Sequence, residues 1–325
     1  MSKPKVYVTR KLPQEALDMI EKECEMEVNP HDRALTRGEL EKVVQGIDGL
    51  LCLLTDDIEG ELLDLNPDLK VIANYAVGYD NIDVEACNER GIPVSNTPGV
   101  LTDTTADLAV TLLMATARRI VEADKFTRAG KYEGWGPMML MGGDIYDKTL
   151  GIIGLGRIGQ GVAKRAVGGF DMEVLYHDVK AKPELEAELG VEYRGLEEML
   201  KQVDFLSIHV PLNPATEKMI GEQELEMMKD TAYVINTSRG AVIDEKALLH
   251  ALRSGEIAGA GMDVYEDEPK LTPGLAEQDN VIMLPHIGSA SVETRTKMAT
   301  MAAENLLAGL KRKEMPNLVN PEVFA

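Results

Sequence analysis

The segment TLGIIGLGRIGQGVAKRAVGG, Thr149 to Gly169, restricts the fold more than any other part of the chain. Thr149 to Ile153 is a short apolar run of strand character. Gly154-x-Gly156-x-x-Gly159 follows without a gap, and Arg157 to Val167 has the period of a helix. A strand that turns straight into a helix over three glycines opens a βαβ unit, and each glycine has its own work. Gly154 makes the tight turn, Gly156 lets a pyrophosphate approach the backbone, and Gly159 lets helix and strand pack closely. The anion would rest on the free N–H groups around Arg157, Ile158 and Gly159, at the positive end of the helix dipole. A second test is an acid at the end of the next strand. EVLYHD supplies Asp178, 19 positions beyond Gly159. A carboxylate there accepts hydrogen bonds from ribose hydroxyls and repels a 2′-phosphate, so the expected cofactor is NAD(H). Lys180 nearby leaves NADP(H) open.

The rest of the chain has the same alternation. KVYVT, MEV, GLLCLL, KVIANY and PVSNT read as strands in the first hundred residues, separated by the amphipathic PQEALDMIEKE, TRGELEKVVQG and NIDVEACNERG. A second series follows: TLGIIG, EVLYHD, FLSIHV, AYVINTSR, GAGMDVY and VIMLPH. Two such series predict an α/β protein of two doubly wound domains with parallel sheets, and a cleft between them as the default ligand site. Between the series, Asp103 to about Ala129 reads as one long helix. It is apolar on nearly every side from Leu108 to Ala117, which places it between domains or between subunits. Gly130 to Lys148 reads as a long connection holding Trp135, the one tryptophan. Asp244 and Gly255 bracket a helix as N-cap and C-terminal stop, and the last helix runs from about Val292 to Leu310.

Charge narrows the partners. Lys and Arg total 34 against 55 Asp and Glu, a formal charge of −21. That balance opposes binding to nucleic acid or to an anionic membrane, both of which need clustered cations. No run approaches the length of a membrane span, and the N-terminus has no signal core. Cys24, Cys52 and Cys87 are odd in number and without CxxC spacing, as expected of reduced thiols in a cytoplasmic protein. The five histidines are scattered, so no metal site is expected.

A hydride donor needs a proton donor and a substrate anchor. Three late strand ends carry polar residues: Arg239 in NTSRG, four acids in DVYEDEP, and His286 in VIMLPHIGSAS. Each taken singly is more often a surface arginine, a solvated acidic run or a packed histidine. Their joint occurrence behind a good fingerprint reverses that balance, because ligands bind at the ends of parallel strands.

With these motifs the chain resembles the D-isomer-specific 2-hydroxyacid dehydrogenase family over nearly its whole length. The segments are VGYDNID, NTPGVLTDTTADLA, TLGIIGLGRIGQ, HVPLNPATEKMI, INTSRGAVIDEKAL, GMDVYEDEP and LPHIGSAS. Within the family it is most similar to the glyoxylate/hydroxypyruvate reductases. The resemblance implies a discontinuous flavodoxin-like substrate domain, 1–99 with 288–325, and a Rossmann dinucleotide-binding domain, 100–287. It also implies Arg239, Glu268 and His286 as the catalytic set. Among Asp263, Glu266, Asp267 and Glu268, only the resemblance selects Glu268. It further implies that Val77 and Gly78 bind the substrate carboxylate through backbone N–H groups, beside Arg239 and His286. Thr105, Pro211, Thr216, Thr237, Asp263 and Gly288 are implied to line the cofactor, and the protein is expected to be a homodimer.

The expected chemistry is NAD(P)H-dependent reduction of a small 2-oxo acid, glyoxylate or hydroxypyruvate. A protonated His286 would donate to the developing oxyanion, Glu268 would orient the ring, and Arg239 would bind the substrate through its fork of donors. Related reductases often have Trp where this chain has Met139, which leaves the aromatic wall to another residue such as Trp135. The alternatives are another D-2-hydroxyacid dehydrogenase, such as D-3-phosphoglycerate dehydrogenase, or a non-catalytic NAD-sensing protein of the same fold.

Overall fold

The computed structural model describes residues 2–324. The chain divides into two compact units, Met1–Leu101 with Ser289–Ala325, and Thr102–Gly288. The first unit begins β1 (Lys5–Val8), α1 (Gln14–Glu23), β2 (Glu25–Val28), α2 (Arg37–Val43) and β3 (Gly49–Cys52). It continues with α3 (Gly60–Leu63), β4 (Val71–Asn74), α4 (Val84–Glu89) and β5 (Val94–Ser95). The strands form one parallel sheet in the order β2-β1-β3-β4-β5, the flavodoxin-like arrangement. Every residue of β3 and β4 is buried, because helices cover both faces of the sheet.

The second unit starts with α5 (Thr102–Ala117) and α6 (Ile120–Arg128), and reaches β6 (Thr149–Ile153) after a long irregular stretch. Then follow α7 (Arg157–Phe170), β7 (Glu173–His177), α8 (Pro183–Leu189), β8 (Val191–Tyr193), α9 (Leu196–Leu200) and β9 (Phe205–Ile208). The series ends with α10 (Glu222–Glu226), β10 (Tyr233–Asn236), α11 (Glu245–Ser254), β11 (Gly259–Met262) and β12 (Val281–Met283). Its seven parallel strands lie in the order β12-β11-β10-β9-β6-β7-β8, which contains the Rossmann order with one strand added. The final helix, α12 (Val292–Leu310), belongs to the first unit and packs on α1, β3 and β4.

The long helix expected over 103–129 is two helices. Arg119 has φ +52°, a left-handed conformation that ends α5 and starts α6 on a new axis. Nor does the apolar α5 need a neighbouring domain or subunit to cover it. It packs on β10, β11, β12 and α7 of its own unit, burying Ala106, Ala109, Leu112, Leu113 and Ala117. Its apolar girth, expected between domains or subunits, is thus largely covered within its own unit. Helix α11 follows its expected punctuation. The Asp244 side chain accepts the N–H groups of Lys246 and Ala247, and Gly255 closes the helix in the left-handed region.

Among the described residues no helix is long and apolar enough to cross a membrane. Also among them, no group of three or more His, Cys, Asp or Glu could hold a metal ion.

Candidate active site

The seven parallel strands of the second unit end on one edge of its sheet, and nearly all of that unit's candidate residues lie just past six of those ends. Gly154 follows β6, Asp178 follows β7, Pro211 and Thr216 follow β9, Thr237 and Arg239 follow β10, Asp263 follows β11, and His286 follows β12. The carboxyl edge of an open parallel sheet is where α/β proteins bind their ligands, because the loops there diverge from a rigid base.

The fingerprint turn has the backbone its glycines predict. Gly154 has φ +90°, and its N–H donates to the His177 carbonyl at 2.8 Å. A side chain at Gly159 would run into the Gly154 carbonyl, so helix and turn touch backbone to backbone. Gly156, by contrast, faces open space and is the N-cap of α7 without any side-chain cap. The first N–H groups of this 14-residue helix, at the exposed Arg157 and the half-buried Ile158, are thus left for an external acceptor.

Asp178 is tied to that turn. One carboxylate oxygen accepts the Leu155 N–H at 3.0 Å and the Lys182 ammonium at 2.6 Å, and the other accepts the Val179 N–H at 2.8 Å. Lys182 also donates to the Leu155 carbonyl, at 2.9 Å. Burial works against the Asp178 charge, but Lys182 and the two N–H groups outweigh it and hold the carboxyl below the ordinary aspartate value. The lysine beside the acid is therefore Lys182, four residues on, rather than the exposed Lys180.

Further along the edge, the Thr216 hydroxyl donates to the Pro211 carbonyl at 2.6 Å, which closes the loop after β9. Thr237 is buried and its hydroxyl has no hydrogen-bond partner among the described residues. A buried, orphaned hydroxyl on the same edge as an uncapped helix N-terminus and an acid fits a bound dinucleotide. Thr105, on α5, donates to the Gly288 carbonyl at 3.1 Å.

At the end of β12, Nδ1 of His286 lies 2.9 Å from Oε2 of Glu268. Both side chains remain about one-quarter to one-third exposed, 27% and 31%, so the pair is reachable from solvent. Since the carboxylate can only accept, Nδ1 carries a hydrogen and Nε2 is the nitrogen that Glu268 does not engage. Burial pushes Glu268 up, yet the hydrogen bond and charge of His286, the Tyr265 N–H at 3.0 Å and the Arg239 charge bring it below the ordinary glutamate value. Arg239 donates through Nη1 to the Ser238 carbonyl, and its own carbonyl accepts from the fully buried Asn236 side chain at 2.9 Å.

His286 sits at φ +55°, unusual for a residue with a side chain, and Asp263 holds it there. Its carboxylate accepts the N–H groups of Ile287 and Gly288, both at 2.8 Å, while its carbonyl accepts the His286 N–H at 2.9 Å. Burial raises Asp263 above the ordinary aspartate value, opposed by those N–H groups and by His286. Asp263 is fully buried, so what it visibly does is hold the turn that aims the histidine.

A second histidine lies on this edge. His209 follows β9, and its Nε2 is 2.8 Å from the Ser207 hydroxyl. Burial drives its pKa down to about 4, so it is neutral at physiological pH. His177 faces the Arg194 carbonyl, and His250 lies exposed on α11 near Glu256. Of the strand-end histidines in this unit, only His286 has a carboxylate partner.

Val77 and Gly78 belong to the first unit, in the turn after β4. The Gly78 carbonyl accepts from Asn74 at 2.9 Å and the Val77 carbonyl from Asn96 at 2.7 Å, so two asparagine side chains fix that turn. Sequence reasoning did not single out these asparagines, Asn236, Tyr265 or Lys182.

Residues 110–288 match the family profile described as "D-isomer specific 2-hydroxyacid dehydrogenase, NAD binding domain". The chain is 53% identical to a glyoxylate reductase of Thermococcus litoralis, over 99% of this chain and 98% of that one. Among solved structures, a Thermus thermophilus protein superposes with a TM-score of 0.90 at 46% identity, covering 97% of this chain and 99% of that one. An NADPH-dependent glyoxylate/hydroxypyruvate reductase from Sinorhizobium meliloti, solved with NADP and malonate, gives 0.86 at 33% identity, covering 99% of this chain and 98% of that one.

Proposed function

The chain belongs to the D-isomer specific 2-hydroxyacid dehydrogenase family, and from that membership we propose that it reduces glyoxylate or hydroxypyruvate, giving glycolate or D-glycerate. At the level of reaction class it is an oxidoreductase that uses a nicotinamide dinucleotide to reduce small 2-oxo acids. The observation that carries the residue assignment is the 2.9 Å contact between His286 and Glu268, on the same sheet edge as the fingerprint turn.

In this reading Gly154, Gly156 and Gly159, the α7 N-terminus, Asp178 and Thr237 hold the dinucleotide, whose reduced nicotinamide supplies hydride when bound. As negative charge develops on the substrate carbonyl oxygen, His286 donates a proton from Nε2, worth roughly 10²–10⁴ in rate for a positioned acid. Glu268 fixes the tautomer and stabilises the imidazolium. Arg239 offers planar donors to the 2-oxo acid and polarises its carbonyl. Val77 and Gly78 are the proposed N–H donors to the substrate carboxylate.

We propose NADH as the preferred donor, because Asp178 is an anion that a 2′-phosphate must approach. The NADP bound by the Sinorhizobium meliloti relative and the ammonium of Lys182 support some use of NADPH. The proposed assembly is a homodimer. Ile120, Tyr132, Trp135, Met138, Met141 and Tyr146 expose large apolar side chains along one stretch of chain, Trp135 to 83%, and a second copy would cover them. The three cysteines are buried and unlinked, which supports a reducing, cytoplasmic setting.

Initial rates of NADH oxidation with a panel of 2-oxo acids test the substrate assignment. Preference for glyoxylate or hydroxypyruvate is expected. A preference for 3-phosphohydroxypyruvate would move the chain to another branch, and no turnover with any 2-oxo acid would leave a dinucleotide-sensing protein.

A further inference from the structure

Glu245 is a carboxylate in an unusual place. It is 1% exposed, and no lysine or arginine pairs with it among the described residues. A buried charge without a counter-ion is costly, and it persists only where specific donors hold it. Here there are two donors. The Glu266 N–H reaches Oε1 at 2.6 Å and the Thr272 hydroxyl reaches Oε2 at 2.6 Å. These donors lie toward the two ends of one segment, 265–272, and Glu268 lies between them. Glu245 is itself the first residue of α11, where the helix dipole favours a negative charge.

The same segment is braced from two other sides. A side chain at Gly240, directly after Arg239, would run into the Tyr265 backbone, so the two segments touch without a gap. The Tyr265 hydroxyl donates to the Leu284 carbonyl at 2.8 Å, two residues before His286. The Tyr265 N–H in turn holds Oε1 of Glu268 at 3.0 Å.

We propose that Glu245 is a positioning residue for the proton donor: it clamps 265–272 so that Glu268 stays within hydrogen-bond reach of His286. Glu245 does not touch His286 and acts through Glu268. The inference rests on the reading of His286 and Glu268 as the acid pair.

The test compares Glu245→Ala, Glu245→Gln and Thr272→Val in the full-length protein. The readouts are thermal melting, the NMR titration of the His286 ring without cofactor (assigned by its loss in His286→Asn), and the pH profile of kcat/KM. Glu245→Ala and Thr272→Val should both move the His286 midpoint to lower pH than in the wild type. In Glu245→Ala kcat should fall about tenfold, since small misplacements at a reacting centre are costly. Glu245→Gln should recover most of both, because its carboxamide oxygen can accept from Glu266 while its NH2 donates to the Thr272 oxygen. A folded Glu245→Ala protein that melts lower but keeps the wild-type midpoint overturns the proposal, as does a Gln variant no better than the Ala variant. Should Glu245→Ala fail to fold, an unmoved midpoint in Thr272→Val overturns it. Turnover surviving in His286→Asn would instead sink the acid-pair reading. An inactive His286→Asn together with an unmoved Glu245→Ala midpoint would sink the clamp alone.

Discussion

Oε2 of Glu268 and Nδ1 of His286 are 2.9 Å apart, although 18 residues separate them in the chain. The contact, with the Tyr265 N–H and the Arg239 charge, holds Glu268 below the ordinary glutamate value against the opposing effect of burial. Glu268→Gln keeps the shape and removes the charge. Its alkaline limb of kcat/KM for reduction should therefore move to lower pH, as initial rates across pH 5–9 would measure. On the acid side the sign is opposite. With its folded value lowered, Glu268 stabilises the protein above the ordinary carboxylate range, and this is lost as pH falls through the lowered value. Coincident profiles for wild type and Glu268→Gln would argue against the pairing.

Asp178 and Lys182 should set the choice of dinucleotide. Asp178→Ala removes the proposed acceptor for ribose hydroxyls, where a charged hydrogen bond is worth about 1.5–3 kcal/mol, so the ratio of kcat/KM for NADH over NADPH should fall by about tenfold or more. Lys182→Met should move the ratio the other way, by withdrawing a cation from the place a 2′-phosphate would occupy. A ratio unchanged in Asp178→Ala would remove the carboxylate from that role.

Gly159 touches the Gly154 carbonyl, and the fingerprint turn leaves no room there for even a methyl group. Gly159→Ala should force α7 away from the turn. We expect weaker NADH binding, read by quenching of intrinsic fluorescence, and destabilisation of about 1–3 kcal/mol in urea unfolding, as for other overpacked sites. Wild-type affinity and stability together would contradict the close approach.

Much of the fold was legible because both series alternate cleanly and the short apolar runs of β3, β4 and β6 are strands buried on both faces. What escaped was short or non-local. Strand β8 has three residues and α3 has four, too few to show a period. The break at Arg119 rests on one backbone dihedral in a sequence of good helix formers. The apolar girth of α5 marked burial correctly, but sequence alone could not tell a core from an interface. Similarly, Asp263, Glu266, Asp267 and Glu268 are equivalent as a string. They separate only when Asp263 turns to the backbone of 287–288, Glu266 to Lys218, and Glu268 to His286.

The exposed apolar side chains between Ile120 and Tyr146 should be covered by a second copy. Trp135→Ser with Met138→Ser should shift sedimentation from dimer toward monomer at micromolar concentration, leaving the far-UV spectrum unchanged. Wild-type protein that sediments as a monomer would contradict the proposed assembly.

Whether His286 delivers the proton is decided by steady-state reduction of glyoxylate and equilibrium binding of NADH, both in His286→Asn. With His286 as the acid, kcat should fall by roughly 10²–10⁴ while the NADH dissociation constant stays within about threefold of wild type. Near-normal turnover, or a loss explained entirely by weakened NADH binding, would contradict it.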